Sequence, residues 1–199
     1  MRLFIVGQKW LAAQLLKQCV AEGYAVAGVA APSAEDALAI EAGRRGLQVQ
    51  IADRVLSRGS IPDGVDLICA AHAHCFIPAT TRDRARLGAI GYHPSLLPRH
   101  RGRDAIRWAI HMREQTTGGS IYWMDDGADT GPVALQHWCH IQPGDDAATL
   151  WRRDLGPMGL RLYSEALRLA VEGTLPKLPQ DEALATWEPA FRGRLLSGT

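Results

Sequence analysis

Short apolar segments alternate with segments of helical periodicity along the first half of this 199-residue chain. The apolar segments predict strands over residues 2–6, 24–30, 47–51, 65–70 and 89–92. The segments between them predict helices over residues 10–21, 33–43 (capped by Ser33) and 79–87. Because parallel strands need a crossover connection, usually a helix, this alternation predicts an α/β fold with a doubly wound, mostly parallel, Rossmann-like sheet.

The pattern changes after residue 93. A helix is predicted over residues 104–112, and strands over 120–124 and 133–141 are joined by an acidic loop as a C-terminal antiparallel extension. A last helix over 147–172, capped by Asp145 or Asp146, contains Gly156-Pro157, where the missing proline N–H predicts a break or a kink. Residues 173–199 are expected to form a surface segment of a single domain that covers residues 1–199.

Charge and cysteine content narrow the class of protein. The formal net charge of +1 implies no strong general attraction to nucleic acid or membranes, so neither is expected as a partner, and a homo-oligomer is left open. The four cysteines form no Cys-x-x-Cys pair, which favours free thiols. No signal peptide precedes the first predicted strand, and no apolar stretch reaches the roughly 20 residues of a membrane span, so a cytoplasmic protein is expected.

Two motifs place polar side chains at the ends of predicted strands. Residues 91–102 are Gly-Tyr-His-Pro-Ser-Leu-Leu-Pro-Arg-His-Arg-Gly, and residues 124–131 are Met-Asp-Asp-Gly-Ala-Asp-Thr-Gly. A lone histidine or an Asp-Thr-Gly turn is usually structural. In an open α/β sheet, however, ligands bind at the carboxyl ends of strands, so His93 and Asp129 together predict a functional site. A histidine can gain and lose a proton near neutral pH, which suits it to proton transfer.

The two motifs together resemble those of the folate-dependent formyltransferases and the related hydrolases of 10-formyltetrahydrofolate. Residues 92–102 are most similar to the hydrolase domain of the 10-formyltetrahydrofolate dehydrogenases. The resemblance implies a formyltransferase fold and a single catalytic domain. It also implies 10-formyltetrahydrofolate as formyl donor and His93 and Asp129 as catalytic residues. The folate-binding residues that it implies are Ala71, His74, Cys75, Phe76, Leu97, Asp125 and Gly127.

One position departs from the family pattern. The family has an asparagine where this chain has Gly91, and in the family that amide is a donor to the oxyanion formed during formyl transfer. The donor must then come from a backbone N–H, a water or another residue, because loss of one such donor typically costs about 10²–10³ in rate. Gly91→Asn is expected to restore the donor, unless the new amide fills space that the acceptor needs.

The resemblance implies an enzyme that moves the formyl group to a small amine or to water. The alternative is a non-catalytic folate-binding or regulatory domain, which Gly91 supports. Gln8-Lys9-Trp10 replaces the glycine-rich phosphate loop of the enzyme that formylates glycinamide ribonucleotide, which argues against that acceptor. The end of the chain at residue 199 and its near-neutral charge argue against tRNA.

Other ligands are weighed on the same grounds. The single glycine of the first turn, Gly7, is too few for a dinucleotide fingerprint, so no NAD is expected. His72 and His74 are spaced like metal ligands, but no further ligands converge on them in sequence, so no metal is expected. A basic cluster is interpreted either as a solvated loop or as an attraction for an anionic acceptor or the folate glutamate tail; its members are Arg99, His100, Arg101 and Arg103.

Overall fold

The computed structural model describes residues 1–191, and its centre is one seven-stranded sheet of order β3-β2-β1-β4-β5-β6-β7. The strands are β1 (Arg2–Gly7), β2 (Ala25–Ala31), β3 (Val49–Ile51), β4 (Leu67–Ala71), β5 (Ala89–His93), β6 (Thr116–Trp123) and β7 (Val133–His140). The first five are parallel, and β6 is antiparallel to both of its neighbours. The predicted doubly wound sheet with an antiparallel extension is confirmed.

Strand β6 begins earlier than predicted, at Thr116 rather than at residue 120. The unpredicted part contains Gly118 and Gly119, which have little intrinsic preference for strands. Tertiary packing decides here, since a Cβ at Gly119 would collide with the Tyr92 ring and one at Gly118 would collide with Leu96. Because the two glycines have no side chains, Tyr92 and Leu96 can pack directly against the backbone of β6.

In the part of the chain that the structure describes, six helices pack around the sheet: α1 (Lys9–Ala21), α2 (Ala37–Arg44), α3 (Ala79–Arg82), α4 (Ala105–His111), α5 (Ala147–Leu150) and α6 (Gly156–Glu172). Helix α2 starts later than predicted because Asp36, not Ser33, is its N-cap and accepts from the Leu38 N–H at 2.8 Å. Helix α3 is shorter than predicted. The N–H groups of Arg86 and Leu87 bond to the carbonyls that precede β4 instead of continuing the helix.

The last helix does not break at Gly156-Pro157, but it is irregular directly before that position. Asp146 caps α5 in a capping box with Thr149, and the chain then widens into a π-helical turn over Trp151–Leu155 before α6 begins. Pro157 lies in the first turn of α6, where its missing N–H breaks no helical hydrogen bond. Helix α6 ends at Gly173, whose φ of 72° suits a glycine C-cap.

The core lies on both faces of the sheet. Alternate residues of β1 show this, because Leu3 and Ile5 pack with α1, α2 and α6 on one face. Phe4 and Val6 pack on the other face with the segment that joins β3 to β4, including a 3₁₀ turn over Arg58–Ser60. All four cysteines are free thiols, three of them buried. Within residues 1–191, no helix has the length and apolar character needed to cross a membrane.

The described part of the C-terminal segment, residues 173–191, lies along the outside of the sheet, with every residue half-buried or exposed. It contains a 3₁₀ turn over Glu182–Leu184 and pairs with the chain at two points, Leu178 with Val133 and Trp187 with Arg101. Residues 192–199 of the predicted tail lie outside the described part of the chain. This segment passes directly beside the loops that follow β5 and β6.

Candidate active site

His93 is the last residue of β5 and is almost fully buried, with 5% of its surface exposed. Its Nε2 lies 2.7 Å from the carbonyl oxygen of His100. Because a carbonyl oxygen only accepts, Nε2 must carry a hydrogen, which leaves Nδ1 as the nitrogen that is free to gain or lose a proton. That nitrogen lies 3.4 Å from Oδ2 of Asp129. The sequence-predicted pair is therefore brought together in space.

Asp129 lies in the loop between β6 and β7 with a φ of 59°, a left-handed conformation that aspartate adopts more readily than most residues. Its Oδ2 accepts from the Gly102 N–H at 2.8 Å, and its Oδ1 accepts from the Tyr122 hydroxyl at 2.7 Å. The side-chain amide of Gln180, in the C-terminal segment, donates to the carbonyl oxygens of Asp129 and Gly131 at 2.8 and 2.6 Å. Side chain and backbone of Asp129 are thus both held.

Gly91 faces Tyr122 across the β5–β6 pair, and His93 lies on the same face because alternate residues of a strand share a face. A Cβ at Gly91 would lie 3.0–3.1 Å from three atoms of the Tyr122 side chain, including its hydroxyl oxygen. An asparagine at this position would meet Tyr122 before it reached a ligand. Burial, and then the negative charge of Asp129, raises the pKa of Tyr122 well above its ordinary value.

The basic cluster of residues 99–103 is mostly neutralised within the protein. The buried Arg101 guanidinium bonds to the Glu182 carboxylate at 2.6–2.8 Å and to the side-chain carbonyl of Gln180. The buried His100 imidazole lies 3.1 Å from Glu114 on one side and 3.1 Å from Glu188 on the other. Arg99 also pairs with Glu114.

Arg103 is exposed and has no ion pair within residues 1–191. The interpretation as a solvated loop is therefore wrong for the buried members, His100 and Arg101. The attraction of the cluster for an anionic acceptor or the folate glutamate tail stays a prediction. The carboxylates that pair with them come from positions far away in sequence, including the C-terminal segment. These ion pairs fix the loop whose carbonyl at His100 orients His93.

Three of the predicted folate-binding residues lie next to this centre. Leu97 is buried in a small cluster with Tyr122 and Val133, and Met124 packs against it. Asp125 accepts from the Gly127 N–H at 3.0 Å and from the Thr130 hydroxyl at 2.7 Å. A Cβ at Gly127 would collide with that hydroxyl, so Asp125 and Gly127 both shape the loop that carries Asp129.

The other four lie at and after the end of β4. Ala71 is the last residue of β4 and is buried, and Cys75 is buried in the cluster against which Met124 also packs. Phe76 is 46% exposed. The His74 Nε2 donates to the Ala52 carbonyl at 2.9 Å, whereas its buried Nδ1 has no partner among residues 1–191. Burial lowers the pKa of His74.

The two predicted loops are joined by a residue that sequence reasoning missed. Arg82 of α3 is buried and donates to the Ile77 carbonyl at 2.5 Å and to the Asp126 carboxylate at 2.8 Å. Tyr122 and Gln180 were missed as well. No motif in the sequence marked Arg82, Tyr122 or Gln180, since their contacts with the site depend on the tertiary structure.

Within residues 1–191, no group of three or more His, Cys, Asp or Glu side chains is arranged to hold a metal ion. At the first turn, where a dinucleotide phosphate would approach the start of α1, the Lys9 N–H bonds to the Asp36 carboxylate at 2.9 Å.

Residues 48–167, which include both motifs, match the model of the family described as formyl transferase. The chain belongs to the formyl transferase family. This formyl transferase chain is 36% identical to the mitochondrial 10-formyltetrahydrofolate dehydrogenase of Mus musculus over 201 aligned positions, covering 94% of the chain. It is 37% identical to the cytosolic 10-formyltetrahydrofolate dehydrogenase of Homo sapiens over the same length. The chain spans 22% of each of these relatives.

Solved structures show the same fold for this formyl transferase chain. WlaRD, a sugar 3N-formyl transferase, superposes with a TM-score of 0.78 at 16% identity, covering 94% of this chain and 69% of that one. Glycinamide ribonucleotide transformylase 1 from Symbiobacterium toebii superposes with a TM-score of 0.75 at 23% identity, covering 91% and 94%. The WlaRD structure was obtained in the presence of dTDP and 5-N-formyl-THF.

Proposed function

We propose that this protein moves the formyl group of 10-formyltetrahydrofolate to a small amine or to water. The observation that carries the proposal is the placement of His93 Nδ1 3.4 Å from Asp129 Oδ2 at the carboxyl end of β5. A proton-accepting nitrogen and a carboxylate held together at a strand end fit proton transfer to and from a bound ligand. Similarity to the named dehydrogenases, at 36–37% identity, supports the same chemistry.

In formyl transfer the amine or water attacks the carbonyl carbon of the formyl group, and negative charge develops on the formyl oxygen. In this proposal His93 takes the proton of the attacking amine or water at Nδ1, while the His100 carbonyl keeps the ring in one tautomer. The Oδ2 atom of Asp129 stabilises and orients the protonated imidazole. His93 then donates the proton to the leaving nitrogen of the folate.

We place the pterin ring between residues 71–76 and the loop 125–129, beside Leu97. The apolar cluster around Leu97 and the half-buried Met124 fit a flat ring. The unpartnered Nδ1 of His74 is a buried polar atom, which a ligand N–H would satisfy. Arg82 supports the placement, because it ties the segment at Ile77 to the loop at Asp126.

The acceptor in this proposal carries no phosphate at the first turn. A phosphate that approached the start of α1 would meet the Asp36 carboxylate, which already accepts from the Lys9 N–H. The negative charges of the phosphate and of Asp36 would repel each other. The Lys9 N–H at the start of α1, which could otherwise bind the phosphate, is already hydrogen-bonded to Asp36. A small amine, an amino sugar or water fits this turn better than a ribonucleotide does.

The test is release of tetrahydrofolate from a 10-formyl analogue by the purified protein, with and without candidate amines. Release without an amine identifies a hydrolase, and release that depends on an amine identifies a transferase and its acceptor. A protein that binds the folate but releases nothing under either condition supports the alternative of a non-catalytic folate-binding or regulatory domain. That alternative rests on Gly91, which supplies no side-chain donor at the reacting centre.

A further inference from the structure

Gly91 and Tyr122 form a complementary pair at the centre of the site. They lie opposite each other on β5 and β6, so their Cα substituents project from the same face of the sheet as His93. The ring of Tyr122 crosses the space over Gly91, where an added Cβ would be 3.0–3.1 Å from Cε1, Cζ and the hydroxyl oxygen. A side chain at position 91 would therefore force the Tyr122 ring to move by a few tenths of an ångström.

The Tyr122 hydroxyl is hydrogen-bonded to Asp129. It donates to Oδ1 at 2.7 Å, whereas Oδ2 is held by the Gly102 N–H and faces His93. Within residues 1–191 the Oδ1 atom has no other hydrogen-bond donor. A bond from a hydroxyl to a carboxylate is charge-assisted and about twice as strong as a neutral one. The raised pKa of Tyr122 means that the phenol keeps its proton throughout the neutral range.

We propose that Tyr122 is a positioning residue of this enzyme: its hydroxyl, in the space that Gly91 leaves free, holds the Asp129 carboxylate against the His93 imidazole. The inference rests on the proposed formyl-transfer function and deepens it. Tyr122 thus supplies a polar group to the site from β6, whereas β5, which carries His93, has no side chain at position 91. The absence of a side chain at position 91 lets the Tyr122 ring occupy this place without a shift.

The charged neighbours of Asp129 make it sensitive to the loss of one donor. His93 faces Oδ2, and Arg101 and Asp125 lie near enough to act on the same region electrostatically. The Arg101 guanidinium is already bonded to Glu182, so it is not free to replace the phenol. When a carboxylate loses a hydrogen-bond donor, it takes up a proton more readily.

The test compares Tyr122→Phe with Tyr92→Phe. The control removes another buried tyrosine hydroxyl, which donates to the Leu155 carbonyl on the opposite face of the sheet. Tyr122→Phe is expected to lower kcat by about 10- to 100-fold, as misorientation of a catalytic group does, with KM for the folate unchanged. The acid limb of its pH–activity profile should move to higher pH. Tyr92→Phe should change thermal stability only.

A second variant and a second measurement keep the outcome decisive. Gly91→Ala should push the Tyr122 ring aside and reproduce the shift of the acid limb. NMR titration of the His93 ring nitrogens reads the His93–Asp129 pair without turnover and should change in Tyr122→Phe but not in Tyr92→Phe. Wild-type turnover, pH profile and titration in Tyr122→Phe would overturn the inference. If the wild-type protein releases no tetrahydrofolate, the proposed function fails and the titration still decides the role of Tyr122.

Discussion

The Nδ1 atom of His93 lies 3.4 Å from the Oδ2 atom of Asp129, although the two residues belong to different strands and loops. The antiparallel pairing of β5 with β6 brings the loop after β6 back over the end of β5. The pair is the part of the site on which formyl transfer depends in the proposed mechanism, so its substitution is the first prediction.

His93→Ala and Asp129→Ala are each expected to abolish formyl release while folate binding survives, since loss of general acid–base catalysis costs about 10²–10⁴ in rate. Asp129 has a φ of 59°, which asparagine tolerates better than alanine. Asp129→Asn therefore separates the loss of charge from backbone strain. Turnover and folate binding are measured for all three, and near-normal turnover in any of them would remove that residue from proton transfer.

Gly91→Asn is expected to lower both stability and activity, which reverses the expectation drawn from the sequence. The new side chain meets the Tyr122 ring at 3.0–3.1 Å, and overpacking of this kind costs about 1–3 kcal/mol. Thermal unfolding and formyl release are measured together. A stable Gly91→Asn protein with raised turnover would show that the wild-type site lacks a donor that asparagine supplies.

Arg82→Met is expected to weaken folate binding, because it releases Asp126 from Ile77 and α3. Because the Asp126 carboxylate is largely exposed, the loss of this ion pair is worth about 0.2–1 kcal/mol, or roughly 1.5- to 5-fold in Kd. The matched control is Arg84→Met, which breaks only the surface pair of Arg84 with Asp63. The Kd of both variants is measured by titration with tetrahydrofolate. Equal Kd values would show that the pterin does not bind between these two loops.

Gln180→Ala is expected to lower turnover by up to about 10²-fold, because it removes both donors that hold the backbone of the Asp129 loop. Gln18→Ala is the control: it also removes a side-chain amide bonded to a distant carbonyl, that of Leu160, but far from the site. The control should lose only about 1 kcal/mol of stability. Equal turnover in the two variants would show that the C-terminal segment does not support catalysis.

The unfolding free energy is expected to fall as the pH drops below 6.5, the ordinary pKa of histidine, because burial lowers the pKa of His74 in the folded state. The unfolded chain then binds the proton more readily than the folded chain does, so protonation favours unfolding. Above this pH the His74 contribution is constant. Denaturant unfolding between pH 5 and 8 should show a smaller fall in His74→Gln, and His137→Gln, on exposed β7, controls for removal of an imidazole.

Much of the fold follows from local patterns. The order of strands and helices along the chain and the antiparallel extension follow from periodicity and from turn residues. The ends of the helices and strands were predicted less accurately from the sequence. Helix α3 is cut short by carbonyls before β4, and β6 runs through two glycines that only the packing of Tyr92 and Leu96 makes favourable.

The sequence by itself determined the family, the sheet and the pair His93 and Asp129, because continuous motifs record them. Only the tertiary structure decided what surrounds that pair. The partners of Arg101 and His100, the Gln180 amide and the Tyr122 hydroxyl all reach the site from distant positions. A sequence pattern records which residue types are near along the chain, whereas a buried charge or carboxylate takes its partner from whatever the fold brings within hydrogen-bonding distance.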